Sequence, residues 1–154
     1  NRTEWLIEIA TELGVRRIIP VITSRTIVRS FRMARLNSIM IEALEQCGGT
    51  FLPNLTDPVS LDHCLDTWNP DRHLIFCDES LSSESTTNTL SDMKKRKKET
   101  AILIGPEGGF SESEGQLIKQ LKNVSSVSLG SRILRADTAA VAAISIWQSV
   151  NLNF

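Results

Sequence analysis

Apolar residues recur along the chain in two periods, one suited to helices and one to short buried strands. Trp5, Leu6, Ile9, Ala10 and Leu13 fall at helical spacing, which predicts a first helix capped by Thr3 and stopped at Gly14. Arg17–Ile22 reads as a strand, with Pro20 marking an edge or an irregularity within it. A second helix is predicted over Phe31–Cys47, with Ile39, Ala43, Leu44 and Cys47 forming part of its buried stripe and Gly48-Gly49 ending it. A short strand at Thr50–Leu52 follows. Asp57-Pro58 then suits the cap and first turn of a short helix running toward Trp68.

The second half is more sharply punctuated. His73–Cys77 is a compact apolar strand, and Asp78–Thr89, rich in Ser, Thr, Glu and Asn, reads as a mobile loop. Lys94–Lys98 (K-K-R-K-K) is a basic run, fit for solvated surface or for phosphate contact. Ala101–Ile104 is a buried strand that enters a glycine turn, and Ser111 with Glu114 makes a capping-box pattern for a helix to Lys122. Val124–Leu129 is a further strand, and Gly130–Asp137 a second polar, glycine-containing turn. A last helix covers Ala136–Val150 and is apolar on most faces, so it should be buried on more than one side. Helices alternating with short apolar strands predict an α/β fold with a mostly parallel sheet flanked by helices.

Composition narrows this picture. A chain of 154 residues with 41% hydrophobic and 23% charged positions fits one domain with a core of useful size, here 1–154. The net charge is −1, and aromatics are 5% with no Tyr. Neither a broad basic face nor an aromatic stacking platform is therefore available, and any nucleic-acid affinity must come from a local patch or another segment. Cys47, Cys64 and Cys77 are scattered and odd in number, which argues against a disulfide framework and for a reducing, cytoplasmic setting. His63 and His73 stand near Cys64 and Cys77 without zinc-type spacing, so no metal is expected. The longest apolar stretch, Ala139–Trp147, is too short to span a membrane. The chain opens almost at a helix start without an initiator Met, and so reads as part of a longer protein.

Two turns carry candidate chemistry. Ile104-Gly105-Pro106-Glu107-Gly108-Gly109 places three glycines around a proline, a tight turn with accessible backbone that suits close approach of a flat ligand. It matches neither the P-loop nor G-x-G-x-x-G, and glycine for geometry alone is an equal reading. The second turn, L-G-S-R-I-L-R-A-D-T-A at 129–139, gathers Arg132, Arg135 and Asp137 beside an apolar strand end. An Arg–Asp ion pair capping the last helix is the structural alternative. Ligands in open α/β sheets collect at strand carboxyl ends, so the two turns should share one pocket if their strands are neighbours. Arg25, Arg29, Arg32 and Arg35 form a third cluster, placed to bind phosphates or to sit as a solvated helix face.

E-L-G-V at 12–15, E-Q-C-G at 45–48, I-G-P-E-G-G at 104–109 and L-G-S-R-I-L-R-A-D-T-A at 129–139 occur in this order. Together they resemble the bacterial 16S rRNA uridine-N3 methyltransferase family (ribosomal RNA small subunit methyltransferase E type) within the SPOUT superfamily. The likeness spans nearly the whole chain. It implies an α/β fold with a deep C-terminal trefoil knot over about 101–150, and a homodimer acting on 16S rRNA of the small ribosomal subunit. It implies S-adenosylmethionine (SAM) held by Ile104–Gly109 and by Leu129, Gly130, Ser131, Ile133 and Leu134, with the strand end at Cys77-Asp78 contributing. It also implies that an N-terminal PUA-like RNA-binding domain is absent from this chain. Two positions depart from the family pattern: Asp137 stands where Glu is usual, and Gly49 where many members carry Arg.

The implied reaction moves a methyl group to uridine N3. Arg132 and Arg135 are expected to face the uridine oxygens, Asp137 to orient an Arg or accept the imide proton, and Arg25, Arg29 and Arg32 to contact RNA. The alternatives are a SPOUT methyltransferase with another RNA target, or an inactive RNA-binding or dimerisation module.

Overall fold

The computed structural model describes residues 2–27, 30–80 and 99–151. The elements run α1 (Arg2–Glu12), β1 (Arg17–Ile18), β2 (Val21–Ile22), α2 (Met33–Cys47), β3 (Asn54–Leu55), β4 (Val59–Ser60), α3 (Leu61–Asp66), β5 (His73–Cys77), β6 (Thr100–Leu103), α4 (Glu112–Lys119), β7 (Val124–Val127) and α5 (Ala136–Asn151). Every strand pairing among them is parallel. The basic run at Lys94–Lys98, most of the loop read at Asp78–Thr89, and Arg29 lie outside the described residues.

β5 is the middle of a three-stranded sheet of order β6-β5-β7. Leu74 pairs with Ala101 on one side and Val124 on the other. Alternate side chains of β5 point to opposite faces, and both faces are covered. Leu74 and Phe76 pack with Leu61 of α3 and Ile118 of α4. Ile75, with Val127, packs against Ile146, Trp147 and Val150 of α5. This explains why His73–Cys77 is apolar without alternation and why α5 is apolar over so much of its surface. Burying a side chain such as Phe76 contributes about 1.5–3 kcal/mol.

Pro20 splits the first predicted strand. β1 pairs with β3 and β2 with β4, as two separate ladders. Proline has no N–H to give, but its carbonyl still accepts from Val59 N at 3.0 Å. The expected strand at Thr50–Leu52 does not form; Phe51 and Leu52 are exposed, and the Arg16 guanidinium lies over the Phe51 ring at 5.6 Å. Pairing starts two residues later, at Asn54, opposite Arg17. Asp57-Pro58 leads into β4 rather than into the helix. The cap of α3 is Ser60, whose hydroxyl accepts from His63 N at 3.2 Å.

The two N-terminal helices present different stripes from those expected. α1 buries Ile7, Ala10 and Thr11, while Trp5 is exposed and Thr3 lies inside the helix. Thr11 tolerates burial because its hydroxyl donates to Ile7 O at 2.8 Å. α2 buries Leu36, Ile39, Met40 and Ala43, and Cys47 is exposed. Ile7, Leu36 and Met40 form the joint core of this layer with Ile18 and Leu55. Gly48 ends α2 in the left-handed conformation at φ 68, as a glycine stop should. In the second half, β5 matches the predicted span, β6 and β7 end one or two residues early, and the capping box at Ser111 and Glu114 is complete.

Candidate functional site

The strands leading into the two glycine turns are not neighbours, so the condition attached to a shared pocket is not met: β5 lies between β6 and β7. The turns nevertheless meet. Strands in a sheet stand about 4.8 Å apart, so loops leaving β6 and β7 are only about 10 Å from each other across the end of β5. They close over that end around a cavity of about 320 Å³.

The first turn contributes Ile104, Gly105, Pro106 and Gly109 to the cavity wall. The second contributes Leu129, Gly130, Ser131, Arg132, Ile133 and Leu134, and Cys77, Asp78 and Glu79 extend from β5. Phe110, Val127, Ala136 and Ala139 complete the apolar part. Glu107, Gly108, Arg135 and Asp137 are not among the lining residues.

Glycine is required at particular points of this wall. Gly109 N donates to Pro106 O at 2.8 Å, closing a turn over 106–109. Gly109 sits at φ +64, and a Cβ there would fall 1.7 Å from Glu79 Oε1. A Cβ on Gly105 would stand 2.8 Å from the Phe110 ring. In the second loop Gly130 adopts φ +119, and Ser128 Oγ bonds both its N–H and its carbonyl.

Asp78 is buried at the sheet end. Its Oδ2 meets Lys119 Nζ at 2.7 Å, and its Oδ1 accepts from Ser80 N at 3.0 Å and Ser80 Oγ at 2.6 Å. Burial pushes its carboxyl up, but the bonds from Lys119 and Ser80 outweigh that and hold it below the usual carboxylate range. Burial alone acts on Cys77, whose thiol is pushed up to about 12. It is therefore a thiol at neutral pH, poor both as a nucleophile and as a metal ligand. Among the described residues no cluster of His, Cys, Asp and Glu could hold a metal ion.

The Arg–Asp pairing read for the second turn does not form among the described residues. Asp137 lies in the first turn of α5, where the helix dipole favours a carboxylate. Its Oδ1 accepts from Thr138 N at 2.7 Å and Thr138 Oγ1 at 3.3 Å. Arg132 and Arg135 are exposed, and Arg135 stands just before α5 with its carbonyl accepting from Ala139 N at 2.8 Å. The third cluster is dispersed. Arg25 Nη1 donates to Gly108 O at 2.7 Å, Arg32 is exposed at the start of α2, and Arg35 lies 3.9 Å from Glu4.

Several participants had no sequence signal. Ser24 donates its N–H and its hydroxyl to Glu114, at 2.7 and 3.0 Å. Burial raises the Glu114 carboxyl, and the bonds from Ser24 and Ser111 more than offset this and lower it. Arg2 pairs with Glu107 at 2.9 Å. Glu107 is lowered first by its own backbone N–H and then by Arg2, while Asp137 nearby opposes both. Partners some 90 positions away leave no local pattern; Glu114 was legible only as a helix cap.

A parallel sheet whose strand ends feed two glycine loops around a cavity defines an α/β domain of the kind that collects ligands at its strand ends. The chain belongs to the RNA methyltransferase domain family, whose model matches residues 1–148. It is 37% identical over 138 residues to the ribosomal RNA small subunit methyltransferase E of Rickettsia conorii, covering 90% of this chain and 55% of that protein. To the Bacillus subtilis protein of the same name it is 29% identical over 154 residues, covering 94% of this chain and 60% of the relative. Among solved structures, a putative methyltransferase from Legionella pneumophila in complex with SAM superposes at TM-score 0.84 with 34% identity, over 98% of this chain and 62% of that one. A SAM-bound ribosomal RNA small subunit methyltransferase E from Neisseria gonorrhoeae gives TM-score 0.83 and 33% identity, over 97% and 61%. The chain thus spans a little over half the length of these relatives.

Proposed function

We propose that this chain is the catalytic domain of a SAM-dependent enzyme that methylates N3 of a uridine in 16S rRNA of the small ribosomal subunit, working as a cytoplasmic homodimer. The carrying observation is the convergence of two glycine turns and the end of β5 on one cavity, in a member of the RNA methyltransferase domain family. Two solved relatives with SAM bound support the choice of cofactor.

The cavity fits such a ligand. Part of its wall is kept open by Gly105, Gly109 and Gly130, where side chains would intrude or strain the chain. Exposed N–H and C=O groups there can read the edge of an adenine, and the apolar side of Val127, Phe110 and Ala139 suits its faces. Bound there, SAM supplies an electrophilic methyl carbon, so the protein's task is orientation and charge stabilisation.

Arg132 and Arg135 offer cations to the uridine oxygens, where negative charge gathers as the N3 proton leaves. Asp137 uses Oδ1 for Thr138, which leaves Oδ2 to orient a guanidinium or take that proton. The uridine must be unpaired or turned out of its helix for N3 to be reached. The proposal includes threading of residues 101–150 into a trefoil knot, and a separate PUA-like domain that supplies much of the RNA affinity. A net charge of −1 is consistent with affinity lying outside this domain.

The test is calorimetry with SAM, followed by mass spectrometry of nucleosides from small-subunit RNA treated with the full-length enzyme. Saturable SAM binding and 3-methyluridine are expected. Methyl groups on another base or on ribose would reject the target, and no SAM binding would reject the function.

A further inference from the structure

The first glycine loop has an inner side that lines the cavity and an outer side gripped by the N-terminal layer. Three contacts make the grip: Arg2 Nη1 to Glu107 Oε1 at 2.9 Å, Arg25 Nη1 to Gly108 O at 2.7 Å, and Ser24 to both oxygens of Glu114. None of Glu107, Gly108 or Glu114 lines the cavity. The contacts therefore act on the loop without occupying the place of a ligand.

They differ in what they hold. The Arg2–Glu107 pair is about half exposed on both sides and is weakened by solvent and salt. Ser24 secures Glu114, hence the start of α4. Arg25 alone binds backbone inside the turn closed by Gly109 N and Pro106 O. Its stem also covers Gly108: a Cβ on that glycine would stand 3.4 Å from Arg25 Cβ and 3.5 Å from Cδ. Fixing the Gly108 carbonyl fixes the plane of the peptide joining Gly108 to Gly109. Gly109 is the buried, left-handed residue that faces the cavity.

The geometry points to Arg25 as a positioning residue for the methyl donor: it holds the Gly108–Gly109 peptide in the orientation that shapes the cavity, and its main effect is on cofactor affinity rather than on RNA contact. This rests on the cavity being the SAM site. A charged hydrogen bond to a carbonyl at a site that must be pre-shaped supports about a tenfold effect on binding.

The test compares wild type, Arg25→Lys and Arg25→Met. Arg25→Met should weaken SAM binding about tenfold by calorimetry and raise KM for SAM, with kcat at saturating SAM and the melting temperature retained. Arg25→Lys, which keeps a donor and most of the stem, should recover part of the affinity. In ligand-free protein, amide exchange at Gly108 and Gly109 should quicken in Arg25→Met. SAM affinity within about twofold of wild type, with RNA binding alone reduced, would make Arg25 a phosphate ligand and overturn the inference. If wild type binds no SAM, the proposed function falls separately; unchanged amide exchange in Arg25→Met would then overturn the clasp as well.

Discussion

Two hollows among the described residues make a contrast, and the larger of this pair is the less suited to methyl transfer. Between α1 and α2 lies a cleft of about 690 Å³ lined by Glu4, Glu8, Glu12 and Glu42, with Arg35 and the exposed Trp5. The cavity at the strand ends is about half that size, at about 320 Å³. The cleft is walled by two regular helices. Their backbone groups are spent on one another, and its carboxylates would repel a polyanion. The cavity is built from turns whose backbone groups are not consumed by a helix or a ladder, and glycines keep its wall thin. Irregular backbone at strand ends, rather than volume, distinguishes a place where a small ligand can be read.

The largest expected effect sharpens this contrast on the side of chemistry. Arg135→Ala should lower the methylation rate about a thousandfold if its cation stabilises charge on the uridine oxygens. Because Arg135 does not line the cavity, SAM affinity should stay near wild type. Single-turnover methylation and calorimetry together check this. Unchanged turnover removes Arg135 from the reaction, whereas a matching loss of SAM affinity reassigns it to the cofactor. Glu8→Gln, in the helical cleft, should leave both quantities unchanged.

Next comes the pair of adjacent glycines. Gly109→Ala should weaken SAM binding by tenfold or more, because an L-residue at φ +64 costs about 1–2 kcal/mol and the new Cβ meets the Glu79 carboxylate. Gly108→Ala carries no positive-φ cost and meets only the stem of Arg25 at 3.4 Å, so its effect should be several times smaller. Equal losses at both positions would mean that general loop disruption, not the left-handed bend at Gly109, decides affinity.

The same comparison shows what a sequence reveals and what it hides. The loops were legible because their signals are local: glycines flanking Pro106, a Ser–x–x–Glu cap at 111–114, and an apolar run that ends where each bend begins. The β5 strand was legible because burial on both faces leaves His73–Cys77 without polar alternation. Its position between β6 and β7 was not, since strand order is set by contacts far apart in sequence. β3 was misplaced because Asn54-Leu55 has no apolar run to announce it, and its partner Arg17-Ile18 alone fixes where pairing begins. The stripe of α1 was misread because that helix packs against both α2 and α5, while Trp5, the bulkiest residue in the expected stripe, stays at the surface. Arg25 was legible only as one cation of an arginine cluster, and Ser24 not at all, until the loop they hold is in place.

The smallest expected effect concerns the floor of the cavity, where Asp78 is held by Lys119 and Ser80. Two opposing influences act on its carboxyl. Burial raises it, and the bonds from Lys119 and Ser80 lower it further than burial raises it. The folded-state pKa lies below the unfolded one, so the ionised pair adds stability at pH values above the unfolded pKa of about 3.9, and that contribution fades as pH falls through the folded value. Lys119→Met removes one lowering influence and leaves burial, shifting the Asp78 carboxyl upward. The variant should therefore lose about 1–2 kcal/mol near pH 7, a loss that shrinks as the solution is acidified and both proteins bind the proton. The figure is kept modest because Lys119 is itself 45% exposed and its charge is partly screened. Urea unfolding of both proteins between pH 3 and pH 7 measures the difference directly. A deficit that stays constant over that range would assign the role of Lys119 to packing over the Phe76 ring, 5.9 Å away, instead of to the charge of Asp78.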